Sequence, residues 1–173
     1  MPKEVEIRFL EGLVSKVTDK EVYDYDTFLA HPTEYLTRSD LTLYSAIDAL
    51  CDQLKHKLFT PYRLLKTEDF GDLSFRNSFN LCNEIMIPNT KFFLCHLDSP
   101  VHSVLEMINK ARSLERPQIY FYEKGLEEIS PEIKRIMGTI QKEPKGFSGR
   151  VRYEGFSDCI KQLKILIKNI FND

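Results

Sequence analysis

Glycine and proline are sparse in this 173-residue chain, at seven and eight residues. That is too few for a fibrous or low-complexity chain. No glycine-rich phosphate loop or dinucleotide fingerprint occurs either. An excess of one charge is also lacking: 24 Lys and Arg stand against 26 Asp and Glu, a net charge of −2. A protein that holds duplex nucleic acid through its phosphates needs a basic face, so that partner is not expected. A small anionic ligand needs only one local pocket and is not excluded. The four cysteines, Cys51, Cys82, Cys95 and Cys159, lie far apart. They form no C-x-x-C, and apart from the adjacent Cys95-His96 no histidine stands near one at zinc-ligand spacing. Neither a disulfide framework nor a metal is expected, and no cofactor. No run of ~18 apolar residues is present to span a membrane. The opening MPKEVEIRFL carries acids where a signal peptide has its apolar run. A reduced, cytoplasmic protein is the expectation.

What is present is a 42% hydrophobic, 29% charged sequence. It is enough to bury a core and wet a surface over one domain of ~100–200 residues. Near the N-terminus Val5, Ile7 and Phe9 alternate with Glu4, Glu6 and Arg8, the period of a half-buried strand. Lys20 to Leu29, with Val22, Tyr23, Tyr25 and Phe28, reads as its partner across a Thr18-Asp19-Lys20 turn. Residues 1–32 are therefore expected to form a β-hairpin arm ending at His31-Pro32. A two-stranded hairpin is marginal alone, so it should pack outside the main domain or on the second subunit of a homodimer.

From 33 to 173 strands and helices alternate. Thr33 to Thr37 is short and strand-like, and Ser39 or Asp40 can cap a helix with Leu43, Ile47, Leu50 and Leu54 on one stripe. Phe59 to Leu65 is extended, and Ser74 to Met86 is helical until Pro88 stops it. Thr90 to Leu97 is an apolar run of strand length without alternation, as in a strand covered on both faces. Pro100 opens a helix that buries Val101, Val104, Leu105, Ile108 and Ala111. Gln118 to Tyr122 is a strand, Ser130-Pro131-Glu132 a helix start, and Arg150 to Tyr153 a short strand. A helix with Ile160, Leu163, Leu166, Ile167 and Ile170 ends the chain. The alternation predicts an α/β domain: an open parallel sheet of about five strands, flavodoxin-like in order, with helices on both faces.

Ligands of such a sheet bind at the carboxyl ends of its strands, near the reversal of strand order. On these boundaries the ends offer Arg38, Ser39 and Asp40; Tyr62 and Arg63; His96, Asp98 and Ser99; and Tyr122, Glu123 and Lys124. His96, next to an apolar run, reads as a satisfied core histidine.

The segment LDSPVHSVLEM, Leu97 to Met107, carries the sharpest pattern. A strand ends in Asp98, Ser99-Pro100 turn into a helix with Ser103 and Glu106, and Ala111 precedes Arg116-Pro117 before the next strand. This layout, over about residues 33–173, resembles the nucleoside 2-deoxyribosyltransferase and nucleotide N-glycosidase superfamily, to which NAD-cleaving TIR domains are similar in arrangement. The resemblance implies cleavage of the N-glycosidic bond of a nucleoside, a nucleotide or NAD. Glu106 would be the carboxylate at the anomeric carbon, with Asp98 on the sugar hydroxyls. Ser99, Ser103 and the N–H groups after Pro100 would hold a 5′-phosphate. Arg38, Tyr62, Arg63 and His102 would line the rest of the pocket. The sequence departs from the family in two places. Glu106 stands five residues before Ala111 instead of four, and at ~100° per residue it points nearly opposite the Val104–Ile108–Ala111 stripe. Val101 or His102 takes the place of the turn glycine. The alternative is therefore a nucleotide-binding or interaction module of the same fold without its carboxylate. A receiver-like domain phosphorylated on Asp98 ranks last, because the paired acids and lysine of its magnesium site are not evident.

Overall fold

A computed structural model of the chain describes residues 4–32, 36–62, 75–98, 102–123, 131, 134–135, 138 and 148–171. Five parallel strands form one open sheet: β1 (Thr27–Ala30), β2 (Leu58–Phe59), β3 (Phe92–His96), β4 (Gln118–Tyr122) and β5 (Ser148–Arg152), in the order β2-β1-β3-β4-β5. This is the flavodoxin order. β3 and β4 lie inside the sheet with helices on both sides, so their residues are apolar almost without alternation.

Helices α1 (Glu4–Thr18) and α4 (His102–Ser113) cover one face, together with a segment that is α-helical over Phe75–Asn80 (α3) and π-helical over Leu81–Met86. Helices α2 (Arg38–Gln53) and α5 (Phe156–Phe171) cover the other. Each presents a stripe at helical spacing: Leu43, Tyr44, Ile47, Leu50 and Cys51 on α2, and Cys159, Leu163, Ile167 and Phe171 on α5. In the π-helical stretch the Ile87 N–H reaches back to the Cys82 carbonyl, and Asn89 Nδ2 donates to the Ile85 carbonyl at 2.8 Å.

The N-terminal hairpin is corrected. Residues 4–18 are helix α1, Val22–Asp24 is a single 3₁₀ turn, and Thr27–Ala30 is the strand lying between β2 and β3. The stretch expected to be an arm thus supplies a strand inside the sheet. The reason is a competing period. Ile7, Leu10, Leu13 and Val14 fall on one helical stripe packed into the core, whereas Phe9 of the apparent alternation is 59% exposed. Glu4 and Glu6 in the first turn and Lys16 in the last complement the helix dipole. The first core strand is accordingly 27–30 instead of Thr33–Thr37, of which 33–35 lie outside the described residues. The cap of α2 is Thr37, with Asp40 closing a reciprocal box. β2 is shorter than expected, with Pro61 and Tyr62 helical and 63–65 outside the described residues. The helix read from Ser130 onward also lies mostly outside them.

Candidate functional site

Strand order reverses between β1 and β3, the place where a sheet of this kind leaves a crevice. On the face covered by α2 and α5 the strands bury Leu29, Leu94, Phe121 and Val151. Continuing each of these stripes by one period-two step reaches His31, His96, Glu123 and Tyr153. Adjacent strands therefore turn polar at one edge of one face.

His31 is fully buried and stacks on Tyr44 with ring centroids 4.4 Å apart. Its Nε2 accepts the Tyr62 N–H at 3.3 Å, so Nδ1 carries the proton and donates to the Pro32 carbonyl at 2.8 Å. Burial lowers its pKa to about 4, against the opposing pull of the Pro32 carbonyl, and the ring is neutral at pH 7. His96, stacked on Phe121 at 4.9 Å, joins the network's two halves. Its Nδ1 is 2.8 Å from the Tyr44 hydroxyl, and its Nε2 is 2.7 Å from Asp98 Oδ2 and 2.9 Å from the Tyr153 hydroxyl. A carboxylate only accepts, so a ring proton stands on Nε2 toward Asp98, and in the neutral ring Tyr44 is then the donor to Nδ1. Asp98 also accepts from the Tyr153 hydroxyl at 2.9 Å and, at Oδ1, from the Glu123 N–H at 2.7 Å. Burial raises the pKa of both tyrosines, helped by Asp40 at Tyr44 and by Asp98 at Tyr153. Both stay phenols over the physiological range and act as donors.

An open cleft of about 530 Å³ adjoins this network, lined by Arg38, Ser39 and Asp40 at the start of α2, by Glu123 and Tyr153 at the strand ends, and by Phe156 at the start of α5. Asp98 is hydrogen-bonded to two of these wall residues, Glu123 and Tyr153. The turn between β5 and α5 is fixed by Asp158, which accepts from the Glu154 N–H at 2.9 Å and from Gln162 at 2.8 Å; those bonds hold its pKa below the usual carboxylate value. In that turn Gly155, at φ +80°, points its N–H at Glu123 Oε1, 3.1 Å away.

Of the residues expected from sequence, Arg38 lines the cleft and Asp98 is hydrogen-bonded to two of its wall residues. Tyr62 is buried, its N–H on His31, and is not among the residues of the cleft wall. Glu106 and His102 pair with each other at 3.4 Å on the exposed surface of α4, with side chains 49% and 87% accessible. Among the described residues the cleft wall includes neither. Ser103 is half-buried on α4, while Arg63 and Ser99 lie outside the described residues. His31, Tyr44 and Tyr153 were not foreseen as site residues. The signal that finds them is the extension of each strand's stripe past its last apolar residue. Among the described residues no group of three or more His, Cys, Asp or Glu side chains is arranged to hold a metal, and no helix is long and apolar enough to cross a membrane.

These features define an α/β protein with an open cleft and a hydrogen-bonded carboxylate at the carboxyl edge of a flavodoxin-ordered sheet. No family model matches the chain, and no curated protein does. Among solved structures, the CMP N-glycosidase BcmB of Clostridium botulinum is similar with a TM-score of 0.57 at 12% identity, over 81% of this chain and 98% of that one. The likeness shows a shared fold.

Proposed function

We propose that the cleft binds a nucleoside or nucleotide, NAD included, and that the protein cleaves the N-glycosidic bond of its ligand. The observation that supports this most is Asp98, a carboxylate held by His96, Tyr153 and the Glu123 N–H beside an open cleft. It stands on a fold shared with a CMP N-glycosidase. As a base leaves its sugar, positive charge develops at the anomeric carbon, and a preorganised carboxylate nearby stabilises that state. Arg38 offers a cation to a phosphate, and the ring of Phe156 offers a face to a base. Ser99, Ser103 and His102 stand as further ligand contacts, and Glu106 as the competing carboxylate, on the strength of the Ser-Pro turn and helix of the family resemblance, and Tyr62 and Arg63 on their place after β2.

The test is release of free base from CMP, deoxynucleoside monophosphates and NAD, followed by chromatography. Asp98→Asn keeps the shape and removes the charge, so base release should fall about 10²-fold or more. Release that is undiminished in the variant removes Asp98 from the reaction. A second reading, a nucleotide-binding module without catalysis, is favoured by the placement of Glu106 on the exposed surface of α4. Tight nucleotide binding with no base release across the panel would establish it.

A further inference from the structure

We propose that Glu123, one step beyond the end of β4, is the reacting carboxylate of the cleft and that Asp98 is its fixed partner; this rests on the N-glycosidase reading above. The two acids differ in how their oxygens are engaged. Asp98 accepts at Oδ2 from His96 and Tyr153 and at Oδ1 from the Glu123 N–H, all within 2.9 Å. A carboxylate engaged in this way is held in one orientation with its lone pairs occupied. It suits a sugar hydroxyl or a developing positive charge better than it suits taking a proton from water. Glu123 lines the open cleft. Among the described residues its carboxylate accepts one hydrogen bond, at Oε1 from the Gly155 N–H at 3.1 Å. Oε2 has no such bond. Gly155 presents that N–H from a left-handed φ of +80°, and the turn places Glu123 on the same wall as Tyr153 and Phe156. The bond from the Glu123 N–H to Asp98 ties the two acids together at the ends of neighbouring strands. Period-two alternation reaches Glu123 directly from Ile119 and Phe121, so its position follows from the strand itself.

In the hydrolysis this arrangement supports, Glu123 takes a proton from water as the water oxygen bonds to C1′ of the sugar. The C1′–N bond breaks and its electron pair leaves with the base. The cytosine of CMP takes a proton from solvent, the nicotinamide of NAD leaves neutral and takes none, and Glu123 releases to solvent the proton it accepted. The sum is nucleoside plus water to sugar plus free base, with no other reactant. Asp98 keeps its charge throughout and faces the positive sugar.

Glu123→Gln tests the assignment with CMP and NAD as probes. Glutamine retains an oxygen for the Gly155 N–H, so melting temperature should move by no more than about 2 °C. Base release should fall about 10²-fold or more while the Kd for the same nucleotide changes less than about twofold. Glu123→Asp keeps the charge but shortens its reach, and its rate should lie between those of the parent and Glu123→Gln. Parent-level base release in Glu123→Gln overturns the assignment alone. So does a Kd that weakens in step with the rate, or a loss of rate produced by Glu106→Gln by itself. A parent protein that binds CMP or NAD and releases no base overturns the N-glycosidase reading, and the assignment falls with it.

Discussion

The two faces of the sheet are built from alternate residues of the same strands, and they differ. The face under α1 and α4 stays apolar to the carboxyl ends, from Leu10, Leu13 and Val14 through Phe28, Phe93 and Cys95 to Leu97 and Tyr122, and its buried Gln118, hydrogen-bonded to the Tyr120 hydroxyl, stands at the amino end of β4. Phe28 and Phe93 stack at 6.0 Å with rings parallel to 1°, and Phe59 continues the row at 5.9 Å. The face under α2 and α5 is mainly aromatic toward the amino ends, where Phe92 stacks on Phe171 at 4.3 Å and the His56 ring packs edge-on against both. At the carboxyl ends it changes to His31, His96 and Tyr153 with Tyr44 packed on top. One side of the strands therefore stays apolar to the carboxyl ends. The other gives up its last position to polar groups, which are held by their mutual hydrogen bonds and by ring packing on Tyr44 and Phe121. Function and stability are thus separable by substitution.

The strongest break in that separation is on the dry face. Phe93→Ala removes a ring that is 1% exposed and stacked on Phe28. Unfolding free energy from urea titration should fall by about 3–5 kcal/mol, while nucleotide Kd in the remaining folded protein stays at the parent value. A large change in Kd would mean that the two faces are coupled.

The next effect belongs to the polar face and depends on pH. His31 has its pKa lowered to about 4 by burial, from an ordinary 6.5. Between those values the unfolded chain binds a proton that the folded chain refuses, so stability falls as pH drops through that window. The loss attributable to His31 should total about 3 kcal/mol, and below pH 4 it should grow no further. His31→Gln lacks the titration. The difference in unfolding free energy between parent and variant, measured at pH 7, 5 and 4, isolates it from the carboxylates that titrate in the same range. An equal pH slope in the two proteins would exclude the buried neutral ring.

Tyr44→Phe should have a smaller effect, costing about 1–2 kcal/mol, because the buried His96 Nδ1 loses its donor while the ring packing against His31 stays. The ¹⁵N shifts of His96 give a second readout. In the parent they should mark Nδ1 as the bare nitrogen and Nε2 as the protonated one, and the opposite pattern would reverse the direction of the network.

Most of the sheet was legible because its signals are local. The run FFLCH reads as a strand buried on both sides, and Val104, Ile108 and Ala111 mark a helix stripe without help from the rest of the chain. The N-terminus was misread because Val5, Ile7 and Phe9 satisfy a strand period over five residues, and only burial of Ile7, Leu10, Leu13 and Val14 decides for the helix. The site was legible in part. Asp98 and Arg38 follow from their positions at element ends. His31, Tyr44 and Tyr153 are unremarkable in their own windows and are brought together by sheet register and by the packing of α2. The helical phase that turns Glu106 away from the buried stripe of α4 was already readable from its spacing to Ala111, and the structure has that side chain exposed.

The smallest expected effect tests that last point. His102 and Glu106 are four residues apart on a solvent-facing helix surface, 3.4 Å between Nε2 and Oε1. Such exposed pairs are screened by water and oppose the entropy of two mobile side chains, so they contribute about 0.5 kcal/mol or less. Glu106→Gln should therefore leave the urea midpoint within that margin, and adding salt should narrow even this difference. The comparison with Asp98 is direct: there the accepting oxygens are engaged by a buried histidine, a buried tyrosine and a backbone N–H. Removing the charge at Asp98 leaves those donors facing a weaker acceptor, a larger cost by about 1–3 kcal/mol. If Glu106→Gln and Asp98→Asn destabilise equally, the carboxylate on α4 has partners in the folded protein beyond His102, and the contrast between an engaged acid at the cleft and a solvated one on the helix fails.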